Sequence, residues 1–310
     1  MHIPVLQKEV IEYLDPKPNE NFIDCTIGEG GHTLAILEKT SPDGKVMGID
    51  QDQEQIENCK SKKIISSSPS LLQAEARKLK IENFKNRLVL ACDNFANLEE
   101  IAKSQNFKQV SGILFDLGMS SWHLEESGRG FSFLRNEPLD MRYNLENPLT
   151  AEKIVNYWSK PEIEKILREY GEERFAKKIA ERIVESRAKP IETTFQLIEI
   201  IKSVIPRKYQ AGRLHPATRT FQALRIVVND ELNNLEKTLP QAINVLNRGG
   251  RLVVISFHSL EDRIVKNFLK KCGGDAYVKL ITKKPIGPSK EEIIKNPRSR
   301  SAKLRACQKF

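Results

Sequence analysis

The chain has 310 residues, enough for one large domain or two ordinary ones with a substantial buried core. Hydrophobic residues make up 39% and charged residues 29%, a soluble globular composition, and no stretch approaches the roughly 20 apolar residues that span a bilayer. Lysine and arginine outnumber the acidic residues 50 to 41, and this net charge of +9 favours a polyanionic partner.

The cysteines indicate a reducing compartment. The five of them have no CxxC pair and no histidine at ligand spacing, so we expect no metal site and free thiols in a cytoplasmic protein. The opening residues MHIPVLQKEV carry charges where a signal peptide needs an apolar segment, so we do not expect secretion.

Five short apolar runs, with helical stretches between them, predict a parallel sheet covered on both faces. This is a doubly wound, Rossmann-like α/β fold, in which ligands bind at the carboxyl ends of the strands. The runs are NFIDCTI, KVMGID at 45–50, LVLACD at 88–93, GILFDLG at 112–118 and RLVVISF at 251–257.

A long insertion separates the fourth run from the fifth. About 130 residues lie between them, far more than a crossover between parallel strands needs. The segment from 161 to 204 has helical periodicity, with a threonine cap before the last helix and breaks at Lys189-Pro190 and Ile205-Pro206. We therefore expect a sheet domain at 1–125 and 210–310, ending in a basic tail, and an inserted helical domain at 126–209.

The stretch DCTIGEGGHT at 24–33 is a glycine turn between the first strand and a helix, which is typical of a nucleotide site. A P-loop needs Lys-Ser or Lys-Thr after the glycines, and none is present. The dinucleotide fingerprint also fails, because Gly28 and Gly30 fit its first two glycines but Thr33 occupies the third. The turn therefore favours a ligand without phosphate.

Residues at the next two strand ends favour a nucleoside ligand. Asp50 lies about twenty residues beyond Gly30, where a carboxylate can accept hydrogen bonds from ribose hydroxyls. Asp93 and Phe95 end the third strand, where an adenine can be hydrogen-bonded at its edge and packed on its face. S-adenosylmethionine has a ribose and an adenine but no phosphate. Each residue also has a simpler interpretation, since the glycines can serve close packing, Asp50 can cap a helix and Phe95 can be core.

The fourth strand runs into a polar, glycine-rich segment, which is poor core material at the expected site. Asp116 ends that strand and can meet the cofactor or the substrate, and His123 follows as a candidate contact. Enzymes that methylate base amines on DNA commonly have a DPPY-like motif here, but this chain has DLGM. The fifth strand ends with Ser256, His258 and Ser259, which can read a base or order the loop.

The basic tail concentrates the positive charge. From Lys283 to Phe310 nine basic residues face two acidic ones, so this segment carries +7 of the +9. Nucleic-acid phosphates are the natural partner of such a segment, and a solubilising tail is the alternative.

Ten motifs together resemble the bacterial RsmH (MraW) family over essentially the whole chain. They are HIPVL at 2–6, DCTIGEGGH at 24–32, GIDQD at 48–52, DLGMSS at 116–121, RGFSF at 129–133, PLDMR at 138–142, YGEERFAKKIA at 170–180, HPATRTFQALRI at 215–226, GGRLVVISFHSLEDRIVK at 249–266 and NPRSRSAKLR at 296–305.

The resemblance implies a class I methyltransferase domain with an inserted helical domain, using S-adenosylmethionine and no metal to methylate N4 of a cytidine in the decoding centre of 16S rRNA. The family's catalytic residue stays open, and its glutamine in SSPQLD is replaced by His123 in SSWHLE. Arginines in the matching motifs are expected to contact rRNA phosphates or to brace loops: Arg129, Arg142, Arg219, Arg298, Arg300 and Arg305. The implied cofactor contacts are Gly30, Gly31, His32, Asp50, Phe95, Asp116 and His123.

Three hypotheses follow. The first is an rRNA (cytosine-N4)-methyltransferase acting on 16S rRNA in the small ribosomal subunit. The second is an rRNA-binding assembly factor of that subunit with a vestigial cofactor site, which the basic tail motivates. The third, methylation of DNA amines, is disfavoured by the DLGM strand end.

Overall fold

A computed structural model describes residues 4–61, 84, 86–210 and 215–310 of the chain. Residues 2 and 3 of the HIPVL motif lie outside this part. The chain divides into two compact units, one made of Met1–Gly118 with Leu232–Phe310 and the other of Met119–Glu231. None of the helices in the described ranges has the length and apolar character that a membrane crossing requires.

The first unit contains a seven-stranded sheet in the order β3-β2-β1-β4-β5-β7-β6. Strands β1 to β5 run parallel, and β7 pairs antiparallel with both β5 and β6. All five predicted strands are confirmed. The strands are β1 Asn21–Asp24, β2 Val46–Asp50, β3 Leu88–Cys92, β4 Val110–Asp116, β5 Leu246–Ser256, β6 Val278–Leu280 and β7 Lys303–Lys309.

Both faces of the sheet are buried, as continuous apolar strands predict. Successive side chains alternate between two cores: Phe22 and Leu114 belong to one, while Ile23 and Phe115 belong to the other. The first core is covered by the helices Gln7–Leu14 and Gly31–Lys39. The second is covered by the helices Leu98–Ser104, Glu231–Val245 and Ser259–Gly274. The doubly wound α/β fold is thereby confirmed.

The fifth strand is longer than the sequence indicates. The sequence predicts it at 251–257, but β5 begins at Leu246 and includes Gly249 and Gly250. Gly249 has a φ of 79°, a left-handed conformation, and the pairing of β4 with β5 shifts register there. The two glycines therefore form an irregularity within the strand.

The basic tail folds into the sheet instead of remaining a solvated extension. Its last part is β7, where Leu304 and Ala306 are fully buried. Arg305 is also buried, and its Nε donates to Asp262 Oδ1 at 2.7 Å in the helix Ser259–Gly274. Of the two interpretations given for Arg305, bracing is the one that the structure supports.

The second unit is helical and has its own apolar core, which Ile154, Leu167, Ile179, Leu197 and Leu224 share with other residues. The helices predicted in the insertion are present, and the predicted threonine cap is Thr193, whose side chain accepts from Gln196 N. The unit's helices are Ser121–Glu125, Ala151–Tyr157, Lys160–Glu169, Ala176–Glu185, Thr194–Val204, Arg207–Gln210 and Thr218–Asn229.

The unit limits differ from the expected 126–209. The helix Thr218–Asn229, expected in the returning sheet domain, belongs to the helical unit. The side chain of Asn229 accepts from Tyr143 N at 2.8 Å and donates to Met141 O at 2.7 Å. These buried bonds join the end of that helix to the PLDMRY segment.

Arg305→Gln tests the bracing of β7. Burial by itself would raise the pKa of Asp262, but the hydrogen bond and charge of Arg305, with Lys303, hold that pKa below its ordinary value. We expect the variant to lose about 2 kcal/mol of unfolding free energy at pH 7. Because its pKa is lower in the folded state, ionised Asp262 stabilises the fold at pH values above its unfolded-state pKa of about 4. The loss of stability in the variant should therefore shrink as the pH falls through the folded-state pKa of Asp262.

Urea unfolding at pH 7 and pH 3 measures the difference between the variant and the wild-type protein. The matched control is Arg300→Gln, because Arg300 is exposed in the same tail. Equal effects of the two substitutions at pH 7 would contradict the bracing role.

Candidate functional site

Three adjacent parallel strands end in aspartate at the same edge of the sheet. Asp24 ends β1, Asp50 ends β2 and Asp116 ends β4, and β1 lies between the other two. The chain order reverses at β1, and ligands of doubly wound sheets bind in the crevice outside the strand ends at such a point. This edge is the candidate site.

The glycine turn crosses this edge between β1 and the helix Gly31–Lys39. Gly30 caps the helix with a φ of 72°, which favours glycine. A Cβ added at Gly30 would meet no atom within 4 Å, so the backbone there borders open space. A ligand can approach the main chain closely at this position.

Residues of β2 and of the following helix Gln53–Ser61 hydrogen-bond to the turn and pack against it. Gly28 N donates to Asp50 Oδ2 at 3.1 Å, and the thiol of Cys59 donates to Gly28 O at 3.2 Å. Ile27 packs so tightly over Gly48 that a Cβ at Gly48 would lie 2.3 Å from Ile27 Cδ1. The turn is therefore positioned before any ligand binds.

Asp50 and the end of β3 lie where the sequence predicted them. The second carboxylate oxygen of Asp50 accepts from Asp52 N at 3.0 Å, so Asp50 orders both its own strand end and the glycine turn. Asp93 accepts from Asn94 N and from the side chain of Asn97. Phe95 is half-buried, and its ring meets that of Phe115 edge-on with centroids 5.6 Å apart.

A buried acid-imidazole cluster lies beside the turn. His32 Nε2 is 3.4 Å from Asp116 Oδ2, and Asp116 N donates to the hydroxyl of Thr26 at 2.7 Å. Among the described residues, neither ring nitrogen of His32 has a hydrogen-bond partner, and neither has Asp116 Oδ1, although all three atoms are buried. Buried polar atoms without partners are costly, which indicates that a polar ligand completes them.

Asp24 is a further strand-end acid at this edge, which the sequence analysis did not single out. It is buried, and its carboxylate accepts from Thr33 Oγ1 at 2.7 Å and from Thr26 N at 3.2 Å. Burial raises the pKa of Asp24, against the lowering effects of the Thr33 hydroxyl and the His32 imidazole. The available signal was its place as the strand-end acid of DCTIGEGGHT.

These residues fit S-adenosylmethionine. The open backbone at Gly30 leaves room for a ligand, and Asp116 Oδ1 is an unused acceptor suited to an ammonium or amine. His32 offers a further unused polar atom on the same side of the turn.

His123 belongs to the helical unit and has structural contacts there. Its Nδ1 lies 2.8 Å from Ser120 Oγ at the start of the helix Ser121–Glu125. The ring is buried and packs edge-on against Phe131 and Tyr143, with centroids 5.0 and 4.9 Å away. Its contact with the cofactor stays a prediction.

Two of the motif arginines brace loops of the helical unit. Arg129 is buried and donates to the carbonyls of Arg142 and Tyr143. Arg142 donates from Nε and Nη2 to Asp140, at 2.9 and 2.8 Å, and from Nη1 to two backbone carbonyls. The structure thus supports the bracing interpretation for both, whereas Arg298 and Arg300 are exposed.

The polar residues after β5 order their own loop. Ser256 is buried and donates to Lys303 O at 3.3 Å. His258 caps the helix Ser259–Gly274, accepting from Glu261 N, and its Nε2 lies 3.1 Å from Glu261 Oε1. Loop ordering is therefore the interpretation supported for Ser256 and His258.

The fold and this edge together define a class of protein. Among the described residues, a sheet of order 3-2-1-4-5-7-6 in which β7 alone is antiparallel, with the candidate site at the end of β1, is that of a class I S-adenosylmethionine-dependent methyltransferase.

Sequence comparison gives the family. The model of the MraW methylase family matches residues 1–310, so the chain belongs to that family. It is 45% identical to the ribosomal RNA small subunit methyltransferase H of Clostridium botulinum (strain Kyoto / Type A2), over 100% of this chain and 99% of the relative. It is 46% identical to the protein of the same name from Heliobacterium modesticaldum, over 100% and 98%. The chain is thus a methyltransferase with S-adenosylmethionine as cofactor.

Solved structures of methyltransferases match this chain at low identity. An rRNA methylase from Streptococcus thermophilus matches with a TM-score of 0.41 and 10% identity, over 100% of this chain and 99% of that one. An O-methyltransferase from Bacillus cereus in complex with SAH matches with a TM-score of 0.43 and 7% identity, over 98% and 79%.

Thr33→Val tests the buried Asp24 carboxylate. The substitution keeps the side-chain shape but removes the hydroxyl that donates to Asp24, so we expect a loss of about 2 kcal/mol of unfolding free energy at pH 8. The bond favours ionised Asp24, and its loss raises that pKa further. The difference from the wild-type protein should therefore shrink as pH falls through the raised pKa.

Urea unfolding monitored by circular dichroism from pH 8 to pH 4 measures this trend. Thr40→Val is the control, because its hydroxyl donates to the neutral carbonyl of Ile36 and accepts from Arg87, so its cost should not vary over this range. A Thr33→Val deficit that stays constant with pH would count against a buried ionised Asp24.

Proposed function

We propose that the chain transfers a methyl group from S-adenosylmethionine to N4 of a cytidine in the decoding centre of 16S rRNA, within the small ribosomal subunit in the cytoplasm. The observation that carries this proposal is the His32–Asp116 pair, whose buried atoms His32 Nδ1, His32 Nε2 and Asp116 Oδ1 have no hydrogen-bond partner among the described residues. The relatives named as ribosomal RNA small subunit methyltransferases support the substrate class. The resemblance of the ten motifs supports the target base.

The cofactor is held by the edge of β1, β2 and β3 in this proposal. The backbone of Gly30 and Gly31 approaches it closely, with His32 at the start of the helix. Asp50 accepts the ribose hydroxyls while keeping its bonds to Gly28 N and Asp52 N, because each carboxylate oxygen has a second lone pair. Phe95 packs against the adenine from its fixed position over Phe115.

The cofactor supplies a methyl group on a positively charged sulfur. With this group bound, the N4 lone pair of the base would form the new N–C bond as the C–S bond breaks with its electron pair on sulfur, and N4 would release a proton. That lone pair is delocalised into the ring, so an acceptor for an N4 hydrogen promotes the attack. Asp116 Oδ1 is such an acceptor, or else it holds the ammonium of the cofactor's methionine.

Asp116→Ala is expected to abolish transfer of labelled methyl from S-adenosylmethionine to small ribosomal subunits from cells that lack this protein. Equilibrium dialysis separates the two roles, because an unchanged cofactor affinity assigns Asp116 to the substrate amine and a weakened one assigns it to the methionine. Asp43→Ala, an exposed acid in the first unit, is the control and should retain activity.

A wild-type protein that methylates protein but never RNA would contradict the proposal. A protein that binds small subunits but no S-adenosylmethionine would favour the assembly-factor hypothesis.

The tail offers exposed positive charge for the RNA backbone. Three of its nine basic residues serve the fold, since Lys303 and Arg305 contact Asp262 and Lys309 donates to the carbonyls of Asn244 and Leu246. The remaining six are exposed, which suits phosphate contacts: Lys283, Lys284, Lys290, Lys295, Arg298 and Arg300.

The double variant Lys295→Glu with Arg300→Glu is expected to weaken RNA binding at least about tenfold and to lower the slope of log affinity against log salt by about 2. Filter binding of a 16S rRNA fragment between 50 and 200 mM salt, concentrations at which about six phosphate contacts give a measurable slope, provides the data. The pair Lys177→Glu with Lys178→Glu makes the same charge change on the helical unit, where both lysines are exposed. If both double variants lose affinity alike, the tail has no special role.

A further inference from the structure

The segment from Pro4 to Gln7, here called the N-terminal arm, lies against the glycine turn. The ring of Pro4 is so close to Gly31 that a Cβ added there would lie 2.4 Å from Pro4 Cγ. Gln7 Nε2 donates to Gly31 O at 3.1 Å. The arm therefore contacts both the α-carbon and the carbonyl of a glycine to which we assign a cofactor contact.

The arm is held in a conformation that a free chain seldom adopts. Leu6 precedes the helix Gln7–Leu14 with a φ of 53° and a ψ of 33°, in the left-handed region that disfavours a branched side chain. Its side chain is fully buried in the core shared by Val10, Leu14 and Leu304. Such a backbone persists only where the surroundings fix it.

One of the groups that fix it comes from the far end of the chain. Leu6 N donates to Glu292 Oε1 at 2.7 Å, and Glu292 lies in the helix Lys290–Lys295. That helix is capped by Ser289, whose hydroxyl accepts from Glu292 N at 3.1 Å. A carboxylate acceptor of a backbone N–H at a helix N-terminus forms a strong, charge-assisted bond.

We propose that Glu292 is a positioning residue for the cofactor site. It acts through the arm: the carboxylate fixes Leu6, and Leu6 fixes Pro4 and Gln7 against Gly31. Without it, the arm leaves its left-handed turn and the glycine turn loses its outer support. The inference rests on the proposed contact between Gly31 and S-adenosylmethionine.

The test compares three variants of the full chain. Glu292→Ala removes the acceptor, Glu292→Gln keeps an amide oxygen that accepts from Leu6 N, and Glu291→Ala removes the adjacent exposed acid of the same first helical turn. Equilibrium dialysis with S-adenosylmethionine gives the affinity, and hydrogen exchange without cofactor reports the amides of residues 30 to 34.

We expect Glu292→Ala to weaken cofactor binding about tenfold and to speed exchange at residues 30 to 34, since one charge-assisted bond is lost. Glu292→Gln should lose clearly less, about threefold, because its neutral amide oxygen keeps a weaker bond to Leu6 N, and Glu291→Ala should match the wild-type protein. In a Pro4→Ala background, Glu292→Ala should cause little further loss of cofactor affinity, because Glu292 acts on the site through Pro4.

Wild-type affinity and exchange in Glu292→Ala would overturn the inference, and so would an equal loss in Glu291→Ala. Thermal unfolding of each variant shows whether a loss of binding reflects global destabilisation. If Glu292→Ala is globally destabilised, the positioning role is judged from the cofactor affinity of Glu292→Gln and from the effect of Glu292→Ala in the Pro4→Ala background. If the wild-type protein binds no S-adenosylmethionine, the proposed function fails, while exchange at residues 30 to 34 still tests the positioning role.

Discussion

Three carboxylates lie at neighbouring strand ends, and much of the site is arranged to accommodate their charge. Like charges at adjacent positions repel unless each has donors of its own. Asp24 has Thr33 and Thr26, Asp50 has the amides of Gly28 and Asp52, and Asp116 has the imidazole of His32 nearby. All but the Asp52 amide come from the DCTIGEGGHT stretch. The glycine turn therefore supplies most of the donors that accommodate these carboxylates, and in the proposed function it also holds the cofactor.

Much of the architecture was readable from periodicity. Buried parallel strands need apolar residues on both faces, which is why NFIDCTI and RLVVISF predict β1 and β5 correctly. β6 was not predicted because it has only three residues, and β7 was not predicted because it contains two lysines and an arginine. Charge is a poor guide where a distant acid neutralises it, as Asp262 does for Arg305. The chain order alone gives no sign of that pairing.

The candidate site, too, could be predicted from the sequence only in part. Gly30, Asp50 and Asp116 follow predicted strands, so their meeting at one edge could be predicted, and the structure places them there. Asp24 was missed because a strand-end acid that is buried looks the same in sequence as one that is solvated. The N-terminal arm could not be predicted either, since the bond from Leu6 to Glu292 joins residues 286 positions apart.

The N-terminal arm and the C-terminal tail thus meet beside the candidate site, and the tail has two tasks. Its last strand completes the sheet, and the helix Lys290–Lys295 holds the N-terminal arm. Its exposed lysines and arginines carry the charge that suits an RNA backbone. In the proposed function, one segment therefore links RNA binding to the support of the methyl-donor site.

Mass mapping of 16S rRNA from cells with and without this protein tests the central claim most directly. The account predicts that one decoding-centre cytidine carries a methyl group on its base amine when the protein is present and loses it when the gene is deleted. Identical modification of that cytidine in both strains, or a lost methyl group on the ribose or on a ring carbon, would contradict it.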